Sequence, residues 1–191
     1  MWLLNFAYQG YKEGVLETRA GRYVEYAGKL YDQGDYDGAI KQLRRALDIS
    51  PKSKTGDAAR ERIVASCIMK GNVEFDAGRF ASAETIYRAG LQYHPKSAAA
   101  HYAIGNALQA QKYTEQALEE FRKAQEAEPG TREARLAGEA AGWIYLNRGI
   151  EYYNSGRQTE ALQEWQKVQE VAPGSDAAEQ AQSWINRAAG G

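Results

Sequence analysis

Cysteine, histidine and proline are scarce in this chain, at one, two and four among 191 residues. A single thiol, Cys67, forms no internal disulfide, which leaves the compartment open because many exported proteins also lack bridges. His94 and His101 join Cys67 as candidate ligands, but their positions have no metal-type spacing. There is no glycine-rich phosphate loop, no Gly-X-Ser-X-Gly nucleophile elbow and no His-Glu-X-X-His pair. The many glutamates read as solubilising residues on helices. No catalytic constellation, metal or cofactor is expected, and the chain does not read as an enzyme.

Charge of one sign and long apolar runs are missing as well. The formal net charge is −1, so no overall field draws the chain to nucleic acid or to an anionic membrane. Nucleic acid is not expected as a partner, and membrane contact is expected only indirectly. A basic bias over 41–62 (Lys41, Arg44, Arg45, Lys52, Lys54, Arg60, Arg62) and an acidic bias over 115–128 read as solvated outer faces of helices. The apolar start, with Trp2, Leu3, Leu4, Phe6 and Tyr8, is too short to cross a bilayer. It has no basic leader and no small-residue cleavage site. Localisation, cytoplasmic or extracytoplasmic, stays open.

What the chain does have is a period. Pro51, Pro95, Pro129 and Pro173 lie 44, 34 and 44 residues apart, each after a helix-like stretch that proline cannot continue. Twelve residues before each proline stands Ala39, Ala83, Ala117 or Ala161. Eight before stand Leu43, Tyr87, Phe121 and Trp165, five before Ala46, Gly90, Ala124 and Val168, and twenty-four before Ala27, Gly71, Gly105 and Gly149. Small residues recur where helix backbones approach closely, and large ones recur where a groove must be filled. Seventeen before come Gly34, Gly78, Lys112 and Gly156, and the glycines tolerate the left-handed conformation needed just past a helix end. Each unit is thus helix, turn, helix, proline stop, and a spacing of about 34 residues marks a stacked helical array.

The longer intervals carry ten extra residues, which fall around 55–63 and 133–141, of helix-favouring composition. These predict long first helices over 55–77 and 131–155, and make a larger unit of 78 residues present twice. The same register predicts a third long helix over 11–33. Its small residues Ala7, Gly10, Gly14, Gly21 and Gly28 lie near one face, which suggests close packing against the next helix or against another chain. Asp176 is placed to cap a last helix over 177–188, with Trp184 and Ile185 covering the final pair.

The segment Ala27 to Pro51, with Tyr31, Gly34-Asp35-Tyr36-Asp37, Ala39-Ile40, Leu43 and Ala46-Leu47, resembles the tetratricopeptide repeat family. Gly71-Asn72, Gly78-Arg79-Phe80 and Ala83 repeat the match, as do Gly149, Tyr152-Tyr153, Gly156 and Ala161. The third unit departs at its turn, with Lys112 for glycine and Tyr113 one residue early. The resemblance implies an all-α fold, a right-handed α-solenoid of helix pairs with two extended first helices and terminal capping helices. The divisions expected within a single domain over 1–191 are an N-terminal extension over 1–19, repeats over 20–53, 54–97, 98–131 and 132–175, and a capping helix over 176–191. By the same resemblance Cys67 falls at a core position, where a buried inert thiol is expected, and Tyr23, Tyr26, Tyr145 and Tyr152 fall at core positions too.

The resemblance further implies a concave groove that binds a protein or peptide partner. Its first half would hold Glu25, Tyr31, Asp32, Met69, Asn72, Phe75 and Asp76, with Val24 and Ile68. Its second half would hold Tyr102, Asn106, Gln109, Asn147, Ile150, Tyr153 and Asn154, with Leu146. Asn72 and Asn106 match positions that hold a peptide backbone in family members. The lysine, asparagine and arginine clamp for chaperone tails is missing, because Val24, Gly28, Met69, Ala99 and Ala103 stand at its places. The implied function is a non-enzymatic interaction scaffold, binding a peptide or helix during assembly of a larger complex. The alternative is a self-assembling protein, a homo-oligomer or filament joined through Trp2, Leu3, Leu4, Phe6 and Tyr8 and the protruding long helices.

Overall fold

The computed structural model describes residues 10–189 with their side chains and residues 2–9 only as the backbone start of the first helix. The self-association candidates Trp2, Leu3, Leu4, Phe6 and Tyr8 therefore lie outside the described side chains. Nine helices and no strand occur among the described residues. The chain packs as two compact units, Met1–Pro95 and Lys96–Gly191, next to the repeat boundary expected at 97/98.

The first unit contains α1 (Trp2–Asp32), α2 (Tyr36–Ile49), α3 (Lys54–Asp76) and α4 (Phe80–Leu91). The second contains α5 (Ala98–Ala110), α6 (Thr114–Ala127), α7 (Arg132–Asn154), α8 (Gln158–Val171) and α9 (Asp176–Ala189). The expected long helices are present, α3 and α7 having 23 residues each against 13 in α5. At 1.5 Å per residue that is a difference of about 15 Å. Helix α1 has 31 residues and begins before the expected residue 11. Only from Ala20 onward does it enter the core.

Complementary volume sets the helix pairing. Ala39, Ala83, Ala117 and Ala161 are fully buried, as are Trp165 and Phe121. A Cβ built on Gly71, Gly105 or Gly149 would run into the ring of Tyr87, Phe121 or Trp165 respectively. The small residue of the first helix and the large residue of the second thus occupy one space. In the first pair the partition differs, with Ala27 and Leu43 sharing the same core cluster.

Each junction after a proline is closed by a hydroxyl that the repeat pattern alone did not single out. Ser53, Ser97, Thr131 and Ser175 stand two residues after the four prolines and accept from the amides of Gly56, Ala100, Ala134 and Ala178 at 3.1–3.3 Å. Ser53, Thr131 and Ser175 also donate to the carbonyls of Ser50, Glu128 and Ala172, so one oxygen serves the end of one helix and the start of the next. Ser175 is the cap of α9, and Asp176, expected in that role, is its first residue.

Three expectations are corrected. Of the two packings expected for the glycine face of α1, the one against the next helix is not found among the described residues: a Cβ on Gly10, Gly14 or Gly21 would meet nothing within 4 Å, and one on Gly28 only Arg62, at 3.6 Å. Tyr26 is 52% exposed rather than in the core, because it points away from α2 and α3. The third turn keeps the geometry of the others despite its changed sequence. The amides of Gly34, Gly78, Lys112 and Gly156 donate to Tyr31, Phe75, Gln109 and Tyr153, and the next amide reaches the carbonyl five residues back each time.

Lys112 holds the left-handed conformation, φ 67°, that Gly34, Gly78 and Gly156 adopt at the same register. A side chain there costs about 1–2 kcal/mol, offset in part by the greater freedom of glycine in the unfolded chain. Lys112→Gly is therefore expected to raise stability by about 0.5–1 kcal/mol, read as a higher urea midpoint with unchanged slope. A lower midpoint would show that this turn carries no strain.

Candidate functional site

In the first unit, α1 supplies Ala27, Gly28, Tyr31 and Asp32 and α3 supplies Arg62, Ala65 and Ser66 to a cavity of about 450 Å³ floored by Leu43 of α2. Long helix α3 places Arg62 there, in the segment added to the ordinary repeat. Glycine at position 28 leaves room for its guanidinium, which donates to the Val24 carbonyl at 3.5 Å. Tyr31 lies edge-on to Tyr36 at 5.4 Å, and burial, followed by Tyr36 and Asp32, pushes its hydroxyl pKa up. The pocket thus combines an aromatic wall, an exposed carboxylate and an arginine. Two of the groove candidates, Tyr31 and Asp32, meet here.

The other first-unit candidates lie elsewhere. Glu25 pairs with Lys29 at 3.1 Å on the surface, and Val24 is buried. Met69, Asn72 and Phe75 are half-buried along α3, and Asp76 at its end is exposed. Asn72 accepts the Tyr87 hydroxyl at 2.8 Å, so its carbonyl is engaged inside the unit. Phe75 packs edge-on against Phe80 at 5.0 Å. Arg62, Ala65 and Ser66 were missed by sequence reading: Arg62 sits in the inserted turns that have no counterpart in an ordinary repeat, and Ala65 and Ser66 follow directly after them.

In the second unit, Tyr102 lies tilted against Phe121 at 6.0 Å, Asn106 is half-buried, and Gln109, Asn147 and Asn154 are exposed. Helix α9 packs over the inner face of α7. Trp184 stacks on Trp165 at 5.7 Å and meets Tyr153 at 5.7 Å, while Ile150 joins the same cluster and Leu146 is buried. Tyr153 is thereby partly covered by the chain's own last helix, Ile150 is half-buried against the same cluster and Leu146 is buried, which corrects their reading as open groove residues.

The structure also reveals two buried carboxylates. Glu120 and Glu164 hold the same register, nine residues before their prolines, with Lys123 and Lys167 three residues on. Glu120 meets His101 Nδ1 at 2.7 Å and Lys123 at 3.1 Å. Glu164 accepts from Arg148 at 2.7 Å and from Lys167 at 2.6 Å. Sequence reading took these glutamates as surface residues, and the repeated Glu-X-X-Lys was the available signal. Cys67 is buried, and burial pushes its thiol pKa up. Among the described residues, no three His, Cys, Asp or Glu side chains converge as a metal site, and no helix is long and apolar enough to cross a membrane.

Burial opposes the charge on Glu120, but hydrogen bonds from His101 and Lys123 overcome it and hold its pKa down at about 2. A carboxyl depressed below its ordinary value of about 4.3 stabilises the fold above that pH, and the stabilisation is lost as pH falls toward 2. Glu120→Gln is expected to remove on the order of 3 kcal/mol of acid-sensitive stability. Denaturation midpoints taken between neutral pH and the acid limit should fall less steeply for the variant. Parallel curves would place the acid sensitivity elsewhere.

Family models described as tetratricopeptide repeat match residues 24–53 and 68–131. No curated protein matches the sequence. Similar solved structures include a tetratricopeptide repeat protein from Parabacteroides merdae, at 20% identity over 90% of this chain and 60% of that one, with a TM-score of 0.45. YrrB, described as having an unusual peptide-binding site, is similar at 16% identity over 84% of this chain and 90% of its own, with a TM-score of 0.43. The first such domain of Spaghetti (RPAP3), solved with the HSP90 peptide SRMEEVD, is similar at 22% identity over 65% and 94%, with a TM-score of 0.40. The chain spans 60% of the length of the Parabacteroides protein. With two matched segments and the same small–large register running through all four helix pairs, the chain belongs to the tetratricopeptide repeat family.

Proposed function

We propose that this protein is a non-enzymatic interaction scaffold that holds a peptide segment of a partner against α1 and α3 of its first unit, in assembly of a larger complex. The observation that carries this reading is the cavity of about 450 Å³ in which Tyr31 and Asp32 face Arg62. An aromatic wall gives contact area at low entropy cost, and the two charges fix the direction of a bound chain. Asp32 and Arg62 are exposed, so both remain available to a partner. Peptides selected from a random phage library against the full chain are expected to bind the Tyr31→Ala, Asp32→Ala double variant about tenfold more weakly. Peptides that bind both proteins equally would contradict the assignment.

A second reading, self-assembly, is favoured by one observation. Tyr11 is 73% and Val15 50% exposed on the part of α1 that stands clear of the core, beside Gly10 and Gly14, where an added Cβ would meet nothing within 4 Å. A second copy of the chain would bury that face. Light scattering over a concentration series is expected to report a mass above the monomer for the intact chain and a monomer after Tyr11→Lys, Val15→Lys. A monomer at all concentrations for both would remove this reading.

A further inference from the structure

The 78-residue unit occurs twice, and its two copies treat one groove differently. In the first unit α2 and α4 both pack on α3 but not on each other. The groove between them, about 440 Å³, has Ile40, Ile86, Ala89 and Tyr93 along its floor and Cys67 beneath. Lys41, Arg44, Arg45 and Lys70 rim it against only two carboxylates, Asp37 and Asp48. Asp37 is taken up by Lys70 at 2.6 Å, and Arg44 lies 5.7 Å over the Tyr93 ring. Lys41 has no ion-pair partner among the described residues.

Moving 78 residues along the chain gives the corresponding place in the second unit, and there it is filled. Tyr145 replaces Cys67, and its ring lies beneath Arg148 and Lys167 at 5.3 and 5.5 Å. Glu164 replaces Ile86 and joins Arg148 to Lys167. Glu119 replaces Lys41 and holds Arg122, the counterpart of Arg44, at 2.7 Å. Four carboxylates (Glu115, Glu119, Glu126, Glu164) now balance four cations (Arg122, Lys123, Arg148, Lys167). The first unit has Cys67 where the second has the Tyr145 ring, carries a ring instead at Tyr93, where the second has Val171, and lacks two of the carboxylates that close this surface in the second.

We infer that the groove between α2 and α4 docks an acidic segment of a partner protein, one that brings an aromatic or aliphatic side chain flanked by two carboxylates. The anchor would occupy the space that Tyr145 fills in the second unit. The carboxylates would meet Lys41 and Arg44, as Glu119 and Glu164 meet their own cations. This surface is separate from the Tyr31–Asp32–Arg62 cavity, and its rim is mainly basic where that cavity has one charge of each sign.

The test is fluorescence anisotropy with the full chain and a labelled amphipathic peptide presenting Glu-X-X-Tyr-Glu, beside the same peptide with glutamine for glutamate. The acidic peptide is expected to bind about tenfold more tightly than the glutamine peptide and to weaken as salt is raised from about 50 to 300 mM. Lys41→Glu, an exposed change that writes in the residue of the second unit, is expected to weaken binding about tenfold. Ile86→Glu should act alike, and Tyr31→Ala should not. Equal binding of the two peptides, no binding of either, or indifference to Lys41→Glu in a variant of native helicity would overturn the inference. Equal dependence on Lys41 for phosphatidylserine vesicles, with no peptide preference, would reassign the groove to an anionic surface.

Discussion

A ring as large as that of tryptophan fits between two helices only where the facing backbone presents no Cβ. Gly149 against Trp165, Gly105 against Phe121 and Gly71 against Tyr87 meet that condition three times in the chain. The pairing fixes how near the two helices of a hairpin come and which faces they turn to each other. It also fixes which residues are left for the outside, because a helix whose small-residue face is committed inward must present the remaining positions to solvent or to a partner. Tyr31, Asp32 and Arg62 on one face, and Lys41 and Arg44 on another, are consequences of that commitment.

The repeated 78-residue unit gives the molecule an internal comparison. Equivalent positions carry Cys67 or Tyr145, Ile86 or Glu164, and Lys41 or Glu119. In the second unit these choices produce a self-satisfied surface: a ring, two bridging carboxylates and cations held by both. The first unit uses smaller and more basic residues on the same backbone plan, so its surface ends with unmatched charge over an apolar floor. Both binding proposals fall in the first unit, and the second unit is the more closed, with α9 laid partly over Tyr153.

Most of the scaffold was legible from spacing alone. Proline stops, invariant alanines and the small–large register gave the helices, and the ten-residue inserts gave the long α3 and α7. What spacing could not show was which polar groups face inward. Glu120 and Glu164 look like any solubilising glutamates until His101 and Arg148, nineteen and sixteen residues earlier, fold over them. Arg62 was invisible because it lies in an insert with no family counterpart. The glycines of α1 misled in the other direction: a one-sided small-residue face predicts close packing, yet among the described residues only Arg62 stands against it, at Gly28. Asn72 illustrates a third limit, since the tyrosine that engages its carbonyl stands on the next helix.

The volume-sharing claim is tested most directly by a double-mutant cycle on Gly105 and Phe121, read by urea denaturation. A Cβ at position 105 would lie 2.5 Å from the Phe121 ring, so Gly105→Ala alone should cost about 1–3 kcal/mol. Combined with Phe121→Leu, it creates the alanine–leucine partition already used by Ala27 and Leu43. In that background the same change should cost at least about 1 kcal/mol less. Additive effects would contradict the account, because they would mean that the two side chains do not compete for one space.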